Sequence, residues 1–513
     1  MLQEHRQASQ SGCVLATLTL VALGGCSVSQ AEGDEVVSNE VSVLTQALTI
    51  QELEAACQDD PRVRQGQVSV DVCVGAELFF RDDFAGNGRT CGSCHPAGNN
   101  YTIDPTFIAT VPSSDPLFVS EQAPALANLE VPALMRDFGL IVENVDGFED
   151  PTRKFVMRSV PHCFSLSTSG VAQGGLGVAN ATGWSGDGAP NGGAFRDFQT
   201  GAITQHYPLT LDRTPGTDFE LADNDELDAI EAFLLTIGRE NELDLTEITL
   251  TDAGAEAGRD VFVNSRCNGC HRNAGANVGS GVNVNFDTGV EAARLTAVDA
   301  LGIMNDGGFG NGPAVDLDND GIFDPIGDGK FNTTPLIEAA DTGPFFHTNH
   351  ADTIEESVAF YISDEFKNSP TGGTPIATPF GATEIQNVAR FLRVLNAEFN
   401  IQLAITRAEA ALPIIVADKN ESRDLQQGMA ALALAEVEDA LEVLSGQSNL
   451  NVDVQDDLSD AEGFLDTAST HASHTQRRRA IDDALAALAA ARIGLSSTPS
   501  ELEFVMGEGT LMF

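Results

Sequence analysis

Two copies of one short motif constrain this sequence more than any other feature. The motif is Cys-x-x-Cys-His, and it occurs at residues 91–95 and again at residues 267–271. Two thiols three residues apart on a helical turn can each add to a haem vinyl group, and the adjacent histidine then ligates the iron. A zinc ribbon would need its two Cys-x-x-Cys knuckles close together, and a thioredoxin-type motif needs no following histidine. The pair therefore predicts two covalently bound c-type haems. The predicted haem anchors and proximal iron ligands are Cys91, Cys94, His95, Cys267, Cys270 and His271.

Acidic residues are spread along the whole chain. Among 513 residues there are 76 Asp and Glu but only 27 Lys and Arg, which gives a formal net charge of −49. This charge argues against nucleic acid and anionic membrane surfaces as partners. It either favours encounter with a cationic electron-transfer protein or reflects a saline habitat. With 42% hydrophobic residues, the chain is globular and long enough for two or three domains.

The N-terminal residues have the pattern of an export signal. Arg6 precedes the apolar run of residues 13–23, and residues 23–26 (Leu-Gly-Gly-Cys) resemble a bacterial lipoprotein box. We expect residues 1–25 to be a lipoprotein signal peptide and Cys26 to carry the lipid, with ordinary cleavage nearby as the alternative. This predicts a periplasmic or cell-envelope lipoprotein that meets the membrane only through its N-terminal anchor. We expect no later segment to be long and apolar enough to span a bilayer.

The remaining cysteines suit an oxidising compartment. Of the nine cysteines, four are predicted haem anchors and two belong to the signal region. Cys57 and Cys73 lie a short distance apart in the chain, so we expect a disulfide between them. Cys163 is then the odd thiol and is expected to be buried.

A helix, a loop and a Cys-x-x-Cys-His motif occur twice in the same order. An apolar helical face over residues 72–80 precedes the first motif, and a helix over residues 255–264 precedes the second. Between them, a helix capped at Asp223 presents one apolar face and stops at Gly238. The stretch from residue 96 to about residue 217 is rich in Gly, Pro, Ser and Asn, as is typical of long loops that shape a site. The repeated unit predicts two cytochrome c domains.

The C-terminal part of the chain is expected to be helical. One helix should begin at Thr353, with a capping-box partner at Glu356, and another should extend over about residues 383–411. Residues 414–495 are rich in Ala, Leu, Glu and Asp with helical spacing, which predicts two or three antiparallel helices. The predicted fold is therefore mainly α, with two cytochrome c-type domains with long loops and an appended C-terminal helical segment. Its parts are a signal peptide at 1–25, a linker at 26–48, an N-terminal cytochrome c domain at 49–217, a C-terminal cytochrome c domain at 218–412 and a helical appendage at 413–513.

An acidic run lies between the second motif and these helices. Its aspartates alternate with other residues, and a glycine stands at the sixth place, as in the ligand run of a calcium loop. Position twelve is Gly327 rather than glutamate, so the run is not a complete EF-hand. It is a candidate calcium site, with a solvated acidic turn as the alternative. The candidate ligands are Asp316, Asp318, Asp320 and Asp324.

Several short motifs, taken in order, resemble those of the bacterial di-haem cytochrome c peroxidases and MauG-like enzymes. The resemblance covers roughly residues 70–400 and is specific in the motifs and loose between them. It implies an N-terminal haem that meets hydrogen peroxide and a C-terminal haem that transfers electrons. The motifs are Leu78-Phe79-Phe80, the first Cys-x-x-Cys-His, Arg158–Pro161, Trp184 with Gly186–Gly188, the second Cys-x-x-Cys-His, Pro335-Leu336 and Thr342–His347.

The resemblance also implies roles for particular residues. Tyr361, fourteen places after His347, matches the distal ligand of the second iron, which is methionine in the peroxidases and tyrosine in MauG-like proteins. Trp184 matches the tryptophan that relays electrons between the two haems. Gln199 and His206 fall near the distal acid–base pair of the family. His206, with a pKa near neutrality, would move a proton of the bound peroxide while Gln199 orients it.

The sequence departs from the family pattern at the first haem. No histidine occurs in residues 96–161, where resting peroxidases carry a distal histidine. The first haem is therefore expected to be open to peroxide, unless His162 or His206 takes that place. Thr342 and Pro344 match positions whose carbonyls bind a calcium ion between the haems, which adds a second candidate calcium site.

These features lead to one leading hypothesis and two alternatives. The first is an exported di-haem peroxidase that reduces hydrogen peroxide at the haem of His95 with electrons from the haem of His271. A small cytochrome or cupredoxin would supply the electrons. The second is a MauG-like or rubber-oxygenase-like oxidase of an organic or protein substrate, favoured by Tyr361. The third is a lipid-anchored electron-transfer cytochrome without enzymatic activity. A homodimer is compatible with all three.

Overall fold

Helices make up most of the protein in its computed structural model, which confirms the mainly α prediction. The structure describes residues 49–144, 155–172, 175–176, 195–303, 305, 307–308, 329–376, 379–446 and 450–513. The predicted signal peptide and linker lie outside these ranges.

Short helices dominate the first half of the described chain, and long ones the end. Those before the second motif are α1 (Ile50–Asp59), α2 (Pro61–Arg64), α3 (Val70–Arg81), α4 (Cys91–Cys94), α5 (Pro105–Thr110), α6 (Val119–Gln122), α7 (Pro132–Phe138), α8 (Leu166–Ser169), α9 (Phe195–His206), α10 (Asn224–Leu234) and α11 (Ala253–Asn264). Those from the second motif onwards are α12 (Cys267–Cys270), α13 (Thr296–Ala300), α14 (Ile354–Ala359), α15 (Asp364–Asn368), α16 (Ala382–Asp418), α17 (Arg423–Ser445), α18 (Val452–Thr470) and α19 (His474–Leu495). Turns of 3-10 helix occur at Ala97–Asn99, Pro116–Phe118, Pro124–Leu126, Arg272–Ala274, Val290–Ala293, Phe360–Ile362 and Glu508–Leu511.

Two antiparallel hairpins, which the sequence analysis did not predict, lie in the long-loop region. Strands β1 (Leu140–Glu143) and β2 (Val156–Ser159) pair with Leu140 opposite Ser159. Strands β3 (Val171–Ala172) and β4 (Gly175–Leu176) form a shorter pair. The β-branched and apolar residues of β1 and β2 favour extended backbone, and the first hairpin carries Arg158 to the site described below.

Local sequence signals set several helix ends as predicted. The Asp223 carboxylate caps α10 by accepting a hydrogen bond from the backbone N–H of Glu226. The chain leaves this region through Gly238, whose φ of 82° favours glycine. The Thr353 hydroxyl caps α14 by accepting from the N–H of Glu356 at 3.2 Å. The predicted helix starts at Asp223 and Thr353 are therefore confirmed. However, α10 ends at Leu234, before the predicted stop at Gly238, and the Glu356 carboxylate accepts from the N–H of Asp352 at 2.9 Å, so only half of the predicted capping box at Thr353 is formed.

The helix before the first motif crosses α10 at very close range. Gly75 of α3 lies against the backbone of α10, so that a Cβ atom added there would stand 1.9 Å from the carbonyl oxygen of Ala229. One turn further along each helix, the rings of Phe79 and Phe233 pack edge to face with centroids 5.3 Å apart. A glycine at the crossing point is what lets two helix backbones approach this closely.

The helix before the second motif repeats this arrangement. Gly258 of α11 lies against α16, where an added Cβ would stand 1.9 Å from the carbonyl oxygen of Asn387. One turn further along, the rings of Phe262 and Phe391 pack with centroids 5.5 Å apart. The spacing of four residues from crossing point to aromatic ring is the same in all four helices. The two segments that lead into the motifs are therefore structurally equivalent.

One long helix, α16, joins the second of these helix pairs to the C-terminal bundle. It was predicted to end near residue 411, but it continues through Pro413 to Asp418. The predicted boundary between residues 412 and 413 thus falls inside a continuous helix. By length and composition α16 could also cross a membrane, contrary to our expectation for segments after the N-terminus. However, 67% of its most apolar 18-residue window is buried inside the protein, as is usual for a core helix.

The C-terminal segment forms a helical bundle with α16, as predicted. Helix α16 packs on α17 and α19, and α18 packs on α17 and α19. The residues after α19 then return to the N-terminal helices: Arg62 donates a hydrogen bond to the carbonyl oxygen of Leu511, and the ring of Phe513 lies 4.9 Å from that of Phe80. Buried apolar side chains form one continuous core from Leu53 to Met512. The division into separate cytochrome c domains stays a prediction.

The predicted disulfide between Cys57 and Cys73 is present and ties α1 to α3. Cys163 is a buried free thiol, also as predicted.

Candidate functional site

The two Cys-x-x-Cys-His motifs have the same local structure. Each Cys-x-x-Cys forms a single helical turn, and the histidine that follows ends it. His95 has φ −122° and ψ 60°, and His271 has φ −107° and ψ 66°. The backbone N–H of each histidine donates to the carbonyl oxygen of the first cysteine, at 2.9 Å for His95 and 2.8 Å for His271. The thiols of Cys91, Cys94, Cys267 and Cys270 are free.

Each motif histidine is held by one ring nitrogen against a backbone carbonyl. His95 Nδ1 lies 2.8 Å from the carbonyl oxygen of Tyr101, and His271 Nδ1 lies 2.9 Å from that of Thr334. Because a carbonyl oxygen only accepts, Nδ1 carries the proton in both rings and Nε2 is left bare. Burial lowers the pKa of His95, and it lowers the pKa of His271 to about 4. Both imidazoles are therefore neutral and offer Nε2 as a metal ligand.

Both motifs open onto one cavity of about 480 Å³. The cysteines and histidine of each motif line it, and so do apolar residues of both helix pairs. The apolar residues include Phe79, Leu234, Phe262, Val388 and Leu392. A large apolar cavity with a few convergent polar groups is what a cofactor site requires.

These residues fit covalent haem better than the alternatives weighed for the motif. The four thiols are free and line a cavity, and each pair is followed by a histidine whose Nε2 is available. Within the described ranges, no group of three or more His, Cys, Asp or Glu side chains could hold a metal ion, so a zinc site gains no support. Cys91, Cys94 and His95 would hold one haem. Cys267, Cys270 and His271 would hold the other.

Gln199 presents an unsatisfied amide to the cavity near the first motif. It lies on α9, its side chain is only 7% exposed, and it lines the cavity. Neither Nε2 nor Oε1 has a hydrogen-bond partner in the part of the chain that the structure describes. A buried amide without partners costs free energy unless a bound molecule satisfies it. Gln199 is therefore poised to hydrogen-bond a small polar ligand.

His206 lies close to Gln199, at the end of α9, but its ionisation differs from the prediction. The backbone N–H of Asn144 donates to Gln205 Oε1, so the Gln205 amide donates through Nε2 to His206 Nε2 at 3.0 Å. His206 must then carry its proton on Nδ1. Burial and the cations Arg89 and Arg213 lower the pKa of His206 to about 3, not the near-neutral value expected. In this arrangement His206 is a neutral hydrogen-bond donor.

His162 also lines the cavity, and its Nδ1 accepts a hydrogen bond from the backbone N–H of Phe164 at 3.2 Å. Burial lowers the pKa of His162 to about 4.

The segment before His162 contacts the second half of the protein, because the N–H of Ser159 donates to the carbonyl oxygen of His347 at 2.8 Å. His347 in turn places Nε2 3.2 Å from a Glu291 carboxylate oxygen. The predicted Arg158–Pro161 and Thr342–His347 motifs are thus brought together.

Tyr361 lies on the cavity wall next to the second motif. It is in the 3-10 turn that follows α14, with its ring packed against Phe366 at 5.1 Å between centroids. Burial raises the pKa of the Tyr361 phenol, and the nearby thiols of Cys267 and Cys270 raise it further. The phenol is therefore protonated unless a cation binds beside it. The role of Tyr361 as an iron ligand stays a prediction.

The calcium and tryptophan predictions are tested little by the structure. Thr342 and Pro344 line the cavity, and the Thr342 hydroxyl donates to the carbonyl oxygen of Glu338 at 3.0 Å. The binding of calcium by their carbonyls stays a prediction. Trp184 and the acidic run at residues 316–324 lie outside the described residues.

Sequence reasoning missed the residues that orient the motif side chains. Tyr101 and Thr334 act through backbone carbonyls, which no side-chain pattern reveals. The Cys163 thiol lies 3.3 Å from His95 Nδ1, and the Tyr207 hydroxyl donates to Cys91 Sγ at 3.1 Å. Both residues are distant in sequence from the first motif. Only the position of Tyr207 beside the candidate His206 offered a signal.

Comparison with known protein families, with characterised proteins and with solved structures finds no match to this chain. The chemistry of the site therefore has to be argued from its own residues.

Proposed function

We propose that this protein is a di-haem c-type cytochrome peroxidase, with hydrogen peroxide reduced at the N-terminal motif and electrons supplied through the C-terminal one. The observation that carries the proposal is the duplicated unit. In each copy, a glycine-mediated helix crossing leads to a Cys-x-x-Cys-His turn whose histidine offers a bare Nε2. Both copies line the same cavity, which supports exchange of electrons between two bound groups. The unit also supports the finer prediction of two cytochrome c-type domains.

Haem bound at both motifs would supply iron that exchanges electrons with peroxide and with a donor protein. The protein's own residues would hold the haems and orient the two motif histidines. The cysteines would hold the haem covalently, while the carbonyls of Tyr101 and Thr334 keep the two imidazoles in one tautomer and orientation. The strongly acidic chain favours a cationic small cytochrome or cupredoxin as donor.

The residues near the first motif fit a small hydroxylic substrate. Gln199 has both a donor and an acceptor free, so it can bind peroxide and set its orientation. His206 would add a hydrogen bond from Nδ1–H, because Gln205 occupies its other nitrogen. The absence of histidine from residues 96–161 favours an open coordination position at the first iron.

One feature favours a second candidate, an oxidase of an organic or protein substrate. A phenolate from Tyr361 on the second iron would stabilise its higher oxidation states, and Tyr361 lines the cavity near Cys267 and Cys270. In that case the protein would oxidise reduced small cytochromes only slowly, while it oxidised the organic or protein substrate. Detection of oxidised organic products by mass spectrometry would distinguish this oxidase activity from the peroxidase activity.

The proposed function is tested on the purified full chain in two steps. A pyridine haemochrome assay should give two haems per chain, and electron paramagnetic resonance should show at least one iron that is not six-coordinate low-spin. Stopped-flow mixing with hydrogen peroxide should then show a rapid spectral change. We expect Gln199→Ala to slow it roughly 10²-fold, as for loss of one positioned hydrogen-bonding group, and Gln427→Ala on the bundle surface to have no effect.

Two low-spin six-coordinate irons in every redox state would contradict the peroxidase. Reversible redox cycling without any reaction with peroxide would instead indicate the electron-transfer cytochrome.

A further inference from the structure

The turn after the first motif has an unusual backbone. Asn100 and Tyr101 both have φ of 54°, the left-handed region. Asparagine tolerates this conformation, but a tyrosine is strained there, and the strain persists only where the surroundings impose it. The carbonyl of Tyr101 is the group that holds His95 Nδ1 at 2.8 Å. The strained turn therefore sets the position of the first proximal histidine.

The C-terminal bundle supplies the contacts that hold this turn. Asn100 Nδ2 donates to Asp439 Oδ2 of α17 at 3.1 Å. The Tyr101 side chain is fully buried, and its hydroxyl lies beside Arg407 of α16, which forms a buried ion pair with Glu436 of α17. Neither the Tyr101 hydroxyl nor Arg407 Nη2 has a hydrogen-bond partner among the described residues. Asn100 is thus hydrogen-bonded to α17, and the neighbouring Tyr101 side chain is buried beside α16.

The anchor on α17 belongs to a dehydrated polar cluster. Asp341 accepts hydrogen bonds from Asn396 at 2.8 Å and from Asn400 at 2.6 Å, both on α16. Burial raises the pKa of Asp341 and of Asp439, and each carboxyl opposes ionisation of the other. Such a cluster is costly to rearrange, because each polar group depends on its neighbours. It gives the anchor a fixed position.

Among the described residues, no hydrogen bond joins the segment that holds His271 to α17. The carbonyl that holds His271 belongs to Thr334, and the neighbouring Thr333 is fixed by Asn283 through two hydrogen bonds of 2.7 and 3.3 Å. Asn283 lies in the segment just after the second motif. A perturbation of α17 should therefore reach one motif histidine and not the other.

We propose that the C-terminal bundle is a positioning element for the first haem site: Asp439 holds the Asn100–Tyr101 turn through its hydrogen bond with Asn100 and thereby sets the hydrogen bond on His95 Nδ1. This inference rests on the proposed binding of haem at both motifs. A strong hydrogen bond from the distant ring nitrogen makes the imidazole a more basic iron ligand and so lowers the reduction potential of the iron. The bundle therefore affects the reduction potential of the first haem and not that of the second.

The test compares variants of the full-length haem-loaded protein. Asp439→Ala and Asn100→Gly each break the anchoring hydrogen bond, and the glycine still accepts the left-handed backbone. Asp439→Asn keeps an acceptor oxygen, and Glu438→Ala alters an exposed neighbour on the same helix. We expect the first two variants to raise the midpoint potential of one haem and to lower one iron–histidine stretching frequency in resonance Raman spectra. The second two should leave both haems unchanged.

Several outcomes would overturn the inference. Unchanged potentials in Asp439→Ala and Asn100→Gly would show that the turn does not need its anchor, and equal shifts of both haems would indicate a general loosening. Hydrogen exchange of the peptide over residues 96–103 provides a readout without haem. It should be faster in Asp439→Ala than in Asp439→Asn or Glu438→Ala, and equal rates would contradict the proposed positioning. If no haem is found but this difference persists, the proposed function fails while the positioning role stands.

Discussion

The two glycines at the helix crossings provide the sharpest test of the duplicated architecture. The perturbation is replacement of Gly75 or Gly258 by alanine, which adds one methyl group at each crossing. The matched controls are Gly428→Ala in α17 and Gly463→Ala in α18, because both glycines are helical and exposed and an added Cβ there meets nothing within 4 Å. All four substitutions remove a flexible residue from a helix interior. They differ only in the space available.

The magnitude follows from the distance to the opposing backbone. At Gly75 and Gly258 the new Cβ would lie 1.9 Å from a carbonyl oxygen, whereas ordinary van der Waals contact begins at 3.4 Å. The helices must therefore separate by about 1.5 Å, and a gap of that size forfeits much of the dispersion energy of the paired phenylalanines. Overpacking typically costs about 1–3 kcal/mol, and a rigid backbone obstacle places these sites at the upper end. Since alanine returns about 1 kcal/mol of helix propensity, the expected net loss is about 2 kcal/mol.

The assay is urea unfolding of the purified protein, followed by far-ultraviolet circular dichroism. Gly428→Ala and Gly463→Ala should stabilise the protein by about 0.4–1 kcal/mol, so the test and control variants should differ by about 3 kcal/mol. A difference below about 0.5 kcal/mol, the usual range of neutral surface substitutions, would refute the close crossing. A loss at only one of the two glycines would show that the motif-leading helix pairs are not equivalent.

Two further predictions concern buried charge. Glu130→Ala should destabilise the protein by about 3–5 kcal/mol in the same assay, because it leaves Arg89 buried without its 2.8 Å partner; Glu121→Ala, which breaks an exposed ion pair, should cost less than about 1 kcal/mol. Asp341 and Asp439 should each contribute a loss of stability as the pH rises from about 4 to about 8, because burial raises their folded-state pKa and the folded protein therefore holds their protons over this window. The buried His162, His206 and His271, whose pKa is lowered, contribute in the opposite sense below about 6.5, so the carboxyl contribution is measured as the difference between the unmodified protein and Asp439→Asn. Urea midpoints measured across the window should show a shallower fall for Asp439→Asn, and an unchanged slope would contradict this account.

Local signals in the sequence were sufficient for much of the helical structure. Asp223 and Thr353 cap helices as predicted, because a capping side chain satisfies backbone groups next to it in the chain. The end of α16 was not predictable in this way. Pro413 favours a break, but Ile414 and Ile415 are buried against the bundle, and their packing outweighs the local preference.

Part of the candidate site could likewise be predicted from local sequence, and part could not. The cysteines and histidines of the motifs could be predicted from the sequence, because their spacing along the chain is the spacing that the proposed haem attachment requires. The lowered pKa of His206 was not predictable, since it arises from Arg89, Arg213 and burial rather than from neighbours in sequence. The hydrogen bond from Asn100 to Asp439 joins residues 339 positions apart. Tertiary contacts of that kind leave no local pattern.

The return of the C-terminal tail to the N-terminal helices bears on the order in which the protein is assembled. Phe513 packs on Phe80, and the ring of Phe80 covers Gly92 inside the first motif. Arg62 likewise forms its hydrogen bond with the carbonyl oxygen of Leu511 only when the tail has docked. Contacts between such distant residues must pay a large loop-closure entropy, so they form late. We therefore expect the first motif to be enclosed last, when the tail docks, which would leave its thiols accessible for the proposed haem attachment until then.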